Sequence, residues 1–190
     1  MLNYVTGNAC SPNGINPKLI IHCCNNIGMW GAGFVIALSS HFGDETCPGS
    51  PEQQYRQWHE DGECQRAPDD PTTSLFTLGA VQFVQIPGYD DLWVANMIGQ
   101  DNSLPPNYNR KNAHKLPPPI RYPAIESCLV QVAKFAKEHK ADIHCPRFGA
   151  GLAGGEWLKI EELINKHLVS QGIDVTVYDL PTPVKIEVLD

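Results

Sequence analysis

Apolar residues along this chain fall into two rhythms. The first is the short apolar run. LNYVTG at the start, KLIIHCCN ending at Asn25, AVQFVQI, LWVANMIGQ, DIHCP and DVTVYDL are rich in β-branched and aromatic residues. Pro87-Gly88-Tyr89-Asp90-Asp91, between the third and fourth runs, is turn chemistry. Nearly continuous apolar runs predict strands buried on both faces, as in a sheet covered by helices on each side.

The second rhythm is helical. Gly33-Phe34 to Phe42 predicts a short apolar helix, and Pro51 to Glu60 a polar surface helix with Tyr55 and Trp58 on one side. Arg121 to Lys140 places Ile125, Leu129, Val132 and Phe135 at helical spacing, with Lys134, Lys137 and Lys140 toward the end where cations suit the helix dipole. Glu156 to Ser170 predicts a face of Leu158, Ile160, Leu163, Ile164 and Leu168, stopped by Gly172. The predicted order is β-β-α-α-β-β-α-β-α-β, with no internal repeat. Gly43–Ser50 and Gly62–Thr73 are expected to be irregular. So is the proline-rich stretch Asn102–Pro119, which at that length is expected to be functional or mobile.

Composition narrows the class. A chain of 190 residues, 42% hydrophobic, can bury one sizeable core, and one domain is expected. The net charge is −7 and no basic run appears, which argues against stable nucleic-acid binding through phosphate neutralisation. No apolar stretch is long enough to span a membrane, and MLNYVTGNAC lacks the features of a signal peptide, so the cytoplasm is the expected location. Seven cysteines, several inside apolar runs, suit a reducing compartment better than a disulfide framework. His41, Cys47, His59 and Cys64 share one loop-rich stretch, but without C-x-x-C or H-x3-5-H spacing they match no common zinc module. No metal and no cofactor are expected.

The candidate chemistry lies in two glycine-rich turns. One is Asn25-Asn26-Ile27-Gly28-Met29-Trp30-Gly31-Ala32-Gly33, the other Phe148-Gly149-Ala150-Gly151-Leu152-Ala153-Gly154-Gly155, and each joins a predicted strand to a predicted helix. Glycines let backbone N–H groups approach a ligand, and a helix N-terminus adds partial positive charge, so such turns can hold an anion without Lys or Arg. The alternative is that they are merely tight connections. Two of them at strand C-terminal ends favour a ligand site. The glycine order fits neither the dinucleotide fingerprint nor the P-loop.

YVTGN, LIIHCCNNIGMWGAGF, WVANMIGQ, CPRFGAGLAGGEW and VTVYDL, spread over nearly the whole chain in that order, resemble the macro domain, the ADP-ribose-binding module. The HxCNxxGxWGxG form, with Asn8 in YVTGN, resembles the branch that includes ADP-ribose 1''-phosphate phosphatases. Together with the strand–helix order, the resemblance implies an α/β protein with a three-layer α/β/α macro-domain fold. Its sheet would be mixed, largely parallel and six-stranded, over residues 1–180, with 181–190 as a tail.

The resemblance also implies site roles. Asn8, where most members have Asp, would meet the adenine amino group; it keeps a carbonyl acceptor without the charge, which weakens adenine preference. Tyr178 would line the adenine end. Asn25 would hydrogen-bond the distal ribose. Gly31, Ala32 and Gly33 would offer N–H groups to the diphosphate and ribose. Gly149, Ala150, Gly151, Leu152, Ala153 and Gly154 would wrap the diphosphate from the other side, with Phe148 near the distal ribose.

His22 has two readings: a satisfied core residue, or the acid–base or nucleophilic catalyst that the phosphatase-like branch suggests. Asp101, directly after VANMIGQ, would be its partner, or else a turn residue. Glu156 is expected to serve the helix dipole. Trp30 and Trp157 are expected to pack over the loops. A lysine–aspartate mechanism of another branch is discounted, because no Lys lies in LIIHCCNNIGMWGAGF and Ala153 stands near the expected Asp. The implied activity is hydrolysis of an ADP-ribose derivative, foremost ADP-ribose 1''-phosphate to ADP-ribose and phosphate. Alternatives are removal of ADP-ribose from protein, nucleic acid or acetyl ester, and a non-catalytic reader. The implied partner is ADP-ribose or ADP-ribose 1''-phosphate, bound by a monomer.

Overall fold

The computed structural model describes residues 1–64, 75–102 and 118–181. Ten elements follow in the predicted order: β1 (Leu2–Thr6), β2 (Lys18–Asn25), α1 (Phe34–Phe42), α2 (Pro51–Cys64), β3 (Val81–Gln85), β4 (Leu92–Gln100), α3 (Tyr122–His139), β5 (Asp142–Pro146), α4 (Trp157–His167) and β6 (Val175–Asp179). They form one six-stranded sheet of order β1-β6-β5-β2-β4-β3. Every neighbouring pair is parallel except β3 against β4. The sheet is therefore mixed and largely parallel, as expected.

The alternation of side chains along each central strand builds two cores. In β2, Leu19 and Ile21 face one core while Ile20 and Cys24 face the other. In β4, Ala95 and Met97 join the first, and Leu92, Val94 and Ile98 the second. The first core is closed by α3 and α4 through Ile125, Leu129, Val132, Ile160 and Ile164. The second is closed by α1 and α2 through Val35, Leu38, Tyr55 and Trp58. The result is three layers, with each fully buried Leu or Ile contributing about 1.5–3 kcal/mol. No described helix is long and apolar enough to cross a membrane. Cys10, Cys23, Cys24, Cys47, Cys128 and Cys145 are free thiols.

Two helix expectations need correction. Leu158 is 72% exposed, because the buried row of α4 runs Ile160–Ile164–Leu168 and Leu158 stands off it. The surface helix does not stop at Glu60 but continues through Gly62 to Cys64. A Cβ on Gly62 would lie 2.7 Å from the Phe76 Cβ, so this glycine makes room for a neighbour and does not break the helix. Elsewhere local chemistry agrees with the expected ends. Ser50 Oγ accepts the Gln53 N–H at 3.1 Å ahead of Pro51, which caps α2. Gly172 closes a 3-10 turn, Val169–Gln171, in the left-handed region. Most of the expected irregular segments 62–73 and 102–119, and the tail beyond 181, lie outside the described residues.

Candidate functional site

Because β1, β6, β5, β2 and β4 are parallel, their C-terminal ends share one edge of the sheet. β2 and β5 are direct neighbours, with Lys18 opposite Asp142 and Ile20 opposite His144. The two glycine turns, one after each of these strands, therefore emerge side by side. They line one cleft of about 480 Å3. Ala32 and Gly33 line it from the first turn, and Phe148, Gly149, Gly151, Leu152 and Ala153 from the second. A Cβ on Gly33 would lie 3.8 Å from the Leu152 Cδ1, so the two turns approach each other. Asn8 and Tyr178 line one end, with Gly7, Ala9 and Leu180, and His22 lies in the lining with Cys23 and Gln100.

The cleft's polarity comes from the backbone. The N–H groups of Ala32 and Gly33, and of Gly151, Leu152 and Ala153, donate no backbone hydrogen bond among the described residues. Gly33 also starts α1, with φ of 79° and no side-chain cap. The charged side chain in the lining, Arg147, is bound twice by Asp179, at 2.6 and 2.8 Å. Its guanidinium lies over the rings of Tyr4 and Trp157. An anion here would meet amides and a helix N-terminus, with Arg147, the lining cation among the described residues, already paired.

His22 is 1% exposed and sits among Trp30, Phe34 and Cys24. Its Nε2 lies 2.7 Å from Asn96 Oδ1. The Asn96 amide donates to Pro51 and Gln82, so its oxygen is the end left for the histidine, and the His22 Nε2–H donates to it. Burial lowers the His22 pKa to about 4, against a smaller opposing effect of Asn96, so the ring is neutral at pH 7. Burial likewise pushes the Cys23 thiol up to about 12, which removes it as a thiolate nucleophile.

Asp101 is not brought to His22. One carboxylate oxygen accepts from the Asn26 amide at 3.1 Å and the other from Arg121 at 3.0 Å. His22 and Asn96 stand opposite each other on β2 and β4, and both are fifth in their runs, KLIIH and LWVAN. That shared position is the sequence signal for the true partner. Asn25, expected at the distal ribose, holds its own turn in the structure. Its Oδ1 accepts the N–H groups of Ile27 and Met29 at 3.1 and 3.0 Å, and its Nδ2 donates to the Met29 carbonyl. The amide oxygen is taken up in shaping the turn, and Nδ2 uses one of its two N–H groups there. Asn25, Gly31, Ala150, Gly154 and Asp101 are not among the residues lining the cleft, whereas the other expected binding residues are.

Gln100, Cys23 and Arg147 are lining residues that the sequence reading did not single out. Gln100 pairs with Asn25 across a shift in register at the end of β2, a feature with no local sequence mark. Trp30 is a core residue bonded to Ser39 Oγ, beneath the first turn and not over it. Trp157 stands at the rim, where its Nε1–H donates to Tyr4 Oη at 3.0 Å. Glu156 precedes α4 and makes no side-chain cap bond. Among the described residues no three His, Cys, Asp or Glu side chains form a metal-holding group.

The chain is similar to a macrodomain protein from Streptomyces coelicolor, with 43% identity and a TM-score of 0.70, covering 94% of this chain and 99% of that one. It belongs to the macrodomain family. No family model matches it. It is also 29% identical over 178 residues, 93% of its length, to a chromodomain-helicase-DNA-binding protein 1-like of Danio rerio, and spans 15% of that relative. In fold it resembles DarTG of Thermosipho africanus, solved in complex with ADP-ribose, at 16% identity and a TM-score of 0.58 over 89% of this chain and 39% of that one. A macrodomain frame explains why these residues converge: its parallel strands deliver both glycine turns to one edge.

Proposed function

We propose that this macrodomain binds ADP-ribose in the cleft. The diphosphate lies between the two glycine turns, the adenine at the Asn8–Tyr178 end and the distal ribose near Phe148. The observation that carries this reading is the pair of facing turns with unspent backbone N–H groups. An acidic chain can hold a diphosphate this way. The cleft volume falls within the range of small-molecule sites. The DarTG complex with ADP-ribose supports the choice of ligand. Free, largely buried thiols support a reducing compartment such as the cytoplasm. Differential scanning calorimetry tests the reading. ADP-ribose at 100 times its Kd should add about 2.7 kcal/mol of stability, and an unchanged melting curve at millimolar ADP-ribose would overturn it.

A second reading is hydrolysis of an ADP-ribose derivative, with ADP-ribose 1''-phosphate giving ADP-ribose and phosphate. It is favoured by the polar groups of His22 and Gln100 in the lining, beside the second turn. His22 as catalyst requires its buried ring to reach substrate. Its burial, neutrality and bond to Asn96 favour a core role instead. Asp101 would act apart from His22. Phosphate release from ADP-ribose 1''-phosphate, beside release of ADP-ribose from protein, nucleic acid and acetyl ester, tests the activity. His22→Ala should lower the melting temperature and leave turnover per folded molecule nearly intact. A loss of roughly 100-fold in a well-folded variant would make His22 catalytic.

A further inference from the structure

Strand order lays the cleft out in a line. Asn8 follows β1, Tyr178 lies on β6, Phe148 follows β5, Cys23 lies on β2 and Gln100 ends β4. The lining thus crosses the sheet from β1 to β4, four strand spacings or roughly 19 Å. With the adenine at Asn8 and Tyr178 and the diphosphate between the glycine turns, the distal ribose falls at the β2–β4 side.

A slip in the sheet aims Gln100 at that end. Cys24 pairs with Ile98 but Asn25 pairs with Gln100, which leaves Gly99 as an extra residue in β4. Asn25 and Cys23 are two apart on β2, so the slip puts Gln100 on the face that Cys23 occupies, and its amide lies beside the Cys23 thiol. A Cβ on Gly99 would lie 2.8 Å from the Cys23 Sγ and would also meet the Ile125 side chain, so the slip requires glycine. The backbone of Gln100 is clamped on both sides. Its carbonyl accepts the Asn26 N–H at 3.0 Å, and the residue bridges to Ile120. Asp101 strengthens the clamp by accepting from the Asn26 amide and from Arg121.

A ribose hydroxyl both donates and accepts a hydrogen bond. The other described side chains lining this end offer little to it. Phe34, Ala37 and Phe148 are apolar, and the Cys23 thiol is a weak partner. His22 gives its Nε2–H to Asn96 and turns Nδ1 toward Cys24. Gln100 carries an acceptor and two donors on one planar group, and that group makes no hydrogen bond to an oxygen or nitrogen among the described residues. Two neighbouring hydroxyls of one sugar can each take one end of it.

We infer that Gln100 recognises the distal ribose, its Oε1 accepting from one hydroxyl and its Nε2 donating to the next. The inference rests on the ADP-ribose reading and names the residue that separates ADP-ribose from ADP, which lacks that sugar. Wild type and Gln100→Met are titrated calorimetrically with both ligands. Met keeps the length of the side chain and removes both hydrogen-bonding ends. Wild type should prefer ADP-ribose by at least about tenfold. Gln100→Met should weaken ADP-ribose about tenfold and leave ADP unchanged within about twofold. A residue that only supports the cleft wall would weaken both ligands alike, because they share the adenosine and the diphosphate. A loss that ADP shares, or no loss with ADP-ribose, overturns the inference. So does a wild-type preference below about tenfold. Gln100→Ala repeats the comparison if the Met variant does not fold, and the wild-type ratio decides if neither folds. Wild type that binds both ligands equally fails this inference only. Wild type that binds neither fails the ADP-ribose reading and the inference with it.

Discussion

The two glycine turns meet at one cleft but are held in opposite ways. The first is held by side chains reaching into it. Asn25 takes two of its N–H groups, the Tyr55 hydroxyl donates to the Asn25 carbonyl at 2.7 Å, and Arg56 reaches the Trp30 carbonyl at 3.3 Å while paired with Glu52. The second is held by its own backbone and by missing side chains. The Gly155 N–H donates to the Gly149 carbonyl at 2.9 Å, and the Gly154 N–H to the Gly151 carbonyl at 3.0 Å. A Cβ on Gly149 would lie 2.8 Å from the Ile120 Cδ1 and 3.0 Å from the Ile160 Cδ1. The first loop leans mainly on polar side chains, although a Cβ on Gly28 there would lie 2.5 Å from the His59 Nδ1; the second leans on absent atoms at Gly149 and Gly155. They should therefore fail differently.

The largest effect is expected in the second turn. A Cβ on Gly155 would stand 2.5 Å from the Gly149 carbonyl oxygen, a backbone atom with little room to yield. Gly155→Ala should cost about 1–3 kcal/mol by overpacking and cut ADP-ribose affinity roughly 100-fold as the turn shifts. Denaturant melts and a ligand titration on the same preparation check both effects. Wild-type stability would show that the turn adapts and remove the contrast.

Asn25→Ala should act less strongly. It strips acceptors from the Ile27 and Met29 N–H groups, at a cost of about 1–3 kcal/mol, nearer the lower figure because water reaches Met29. Affinity should fall about tenfold, since the first turn loosens without being blocked. Hydrogen exchange should quicken at 27–33 and stay unchanged at 147–155. Quickening in both turns would show that they are one unit.

The smallest effect concerns the histidines on the strands that feed the turns. His22 on β2 has a partner for Nε2, whereas His144 on β5 leaves its buried Nε2 without one among the described residues. Burial lowers both pKa values from 6.5 to about 4. The folded state disfavours the proton and the unfolded state takes it near 6.5. Stability is therefore full above that pH and is lost as pH falls toward 4. Melting temperature should decline through that window, and both ring resonances should stay neutral until near pH 4. A ring titrating near 6.5 in the folded protein would contradict its burial.

The fold was legible because its signals are local. The runs at 18–25 and 92–100 and the i, i+4 row of α3 mark elements wherever they pack. Leu158 misled because apolarity was counted without its angle around the helix. The glycine turns were legible for the same local reason. The partners were not. His22 meets Asn96 only through strand register, and Asp101 meets Arg121 only when β4 lies beside the start of α3. The bonds that Asn25 makes within its own turn were not legible either, because they depend on how the turn closes.

On the proposed reading, two backbone-lined turns hold the diphosphate of ADP-ribose. Gly151 offers the most direct test of that reading, because a Cβ there meets nothing within 4 Å and the residue lines the cleft. Wild type and Gly151→Val are titrated with ADP-ribose by isothermal calorimetry, with melting curves on the same samples. Wild type should bind saturably, Gly151→Val should bind at least about tenfold more weakly, and the melting temperatures should agree. Equal affinity in the two proteins, or no heat from wild type at millimolar ADP-ribose, would contradict it.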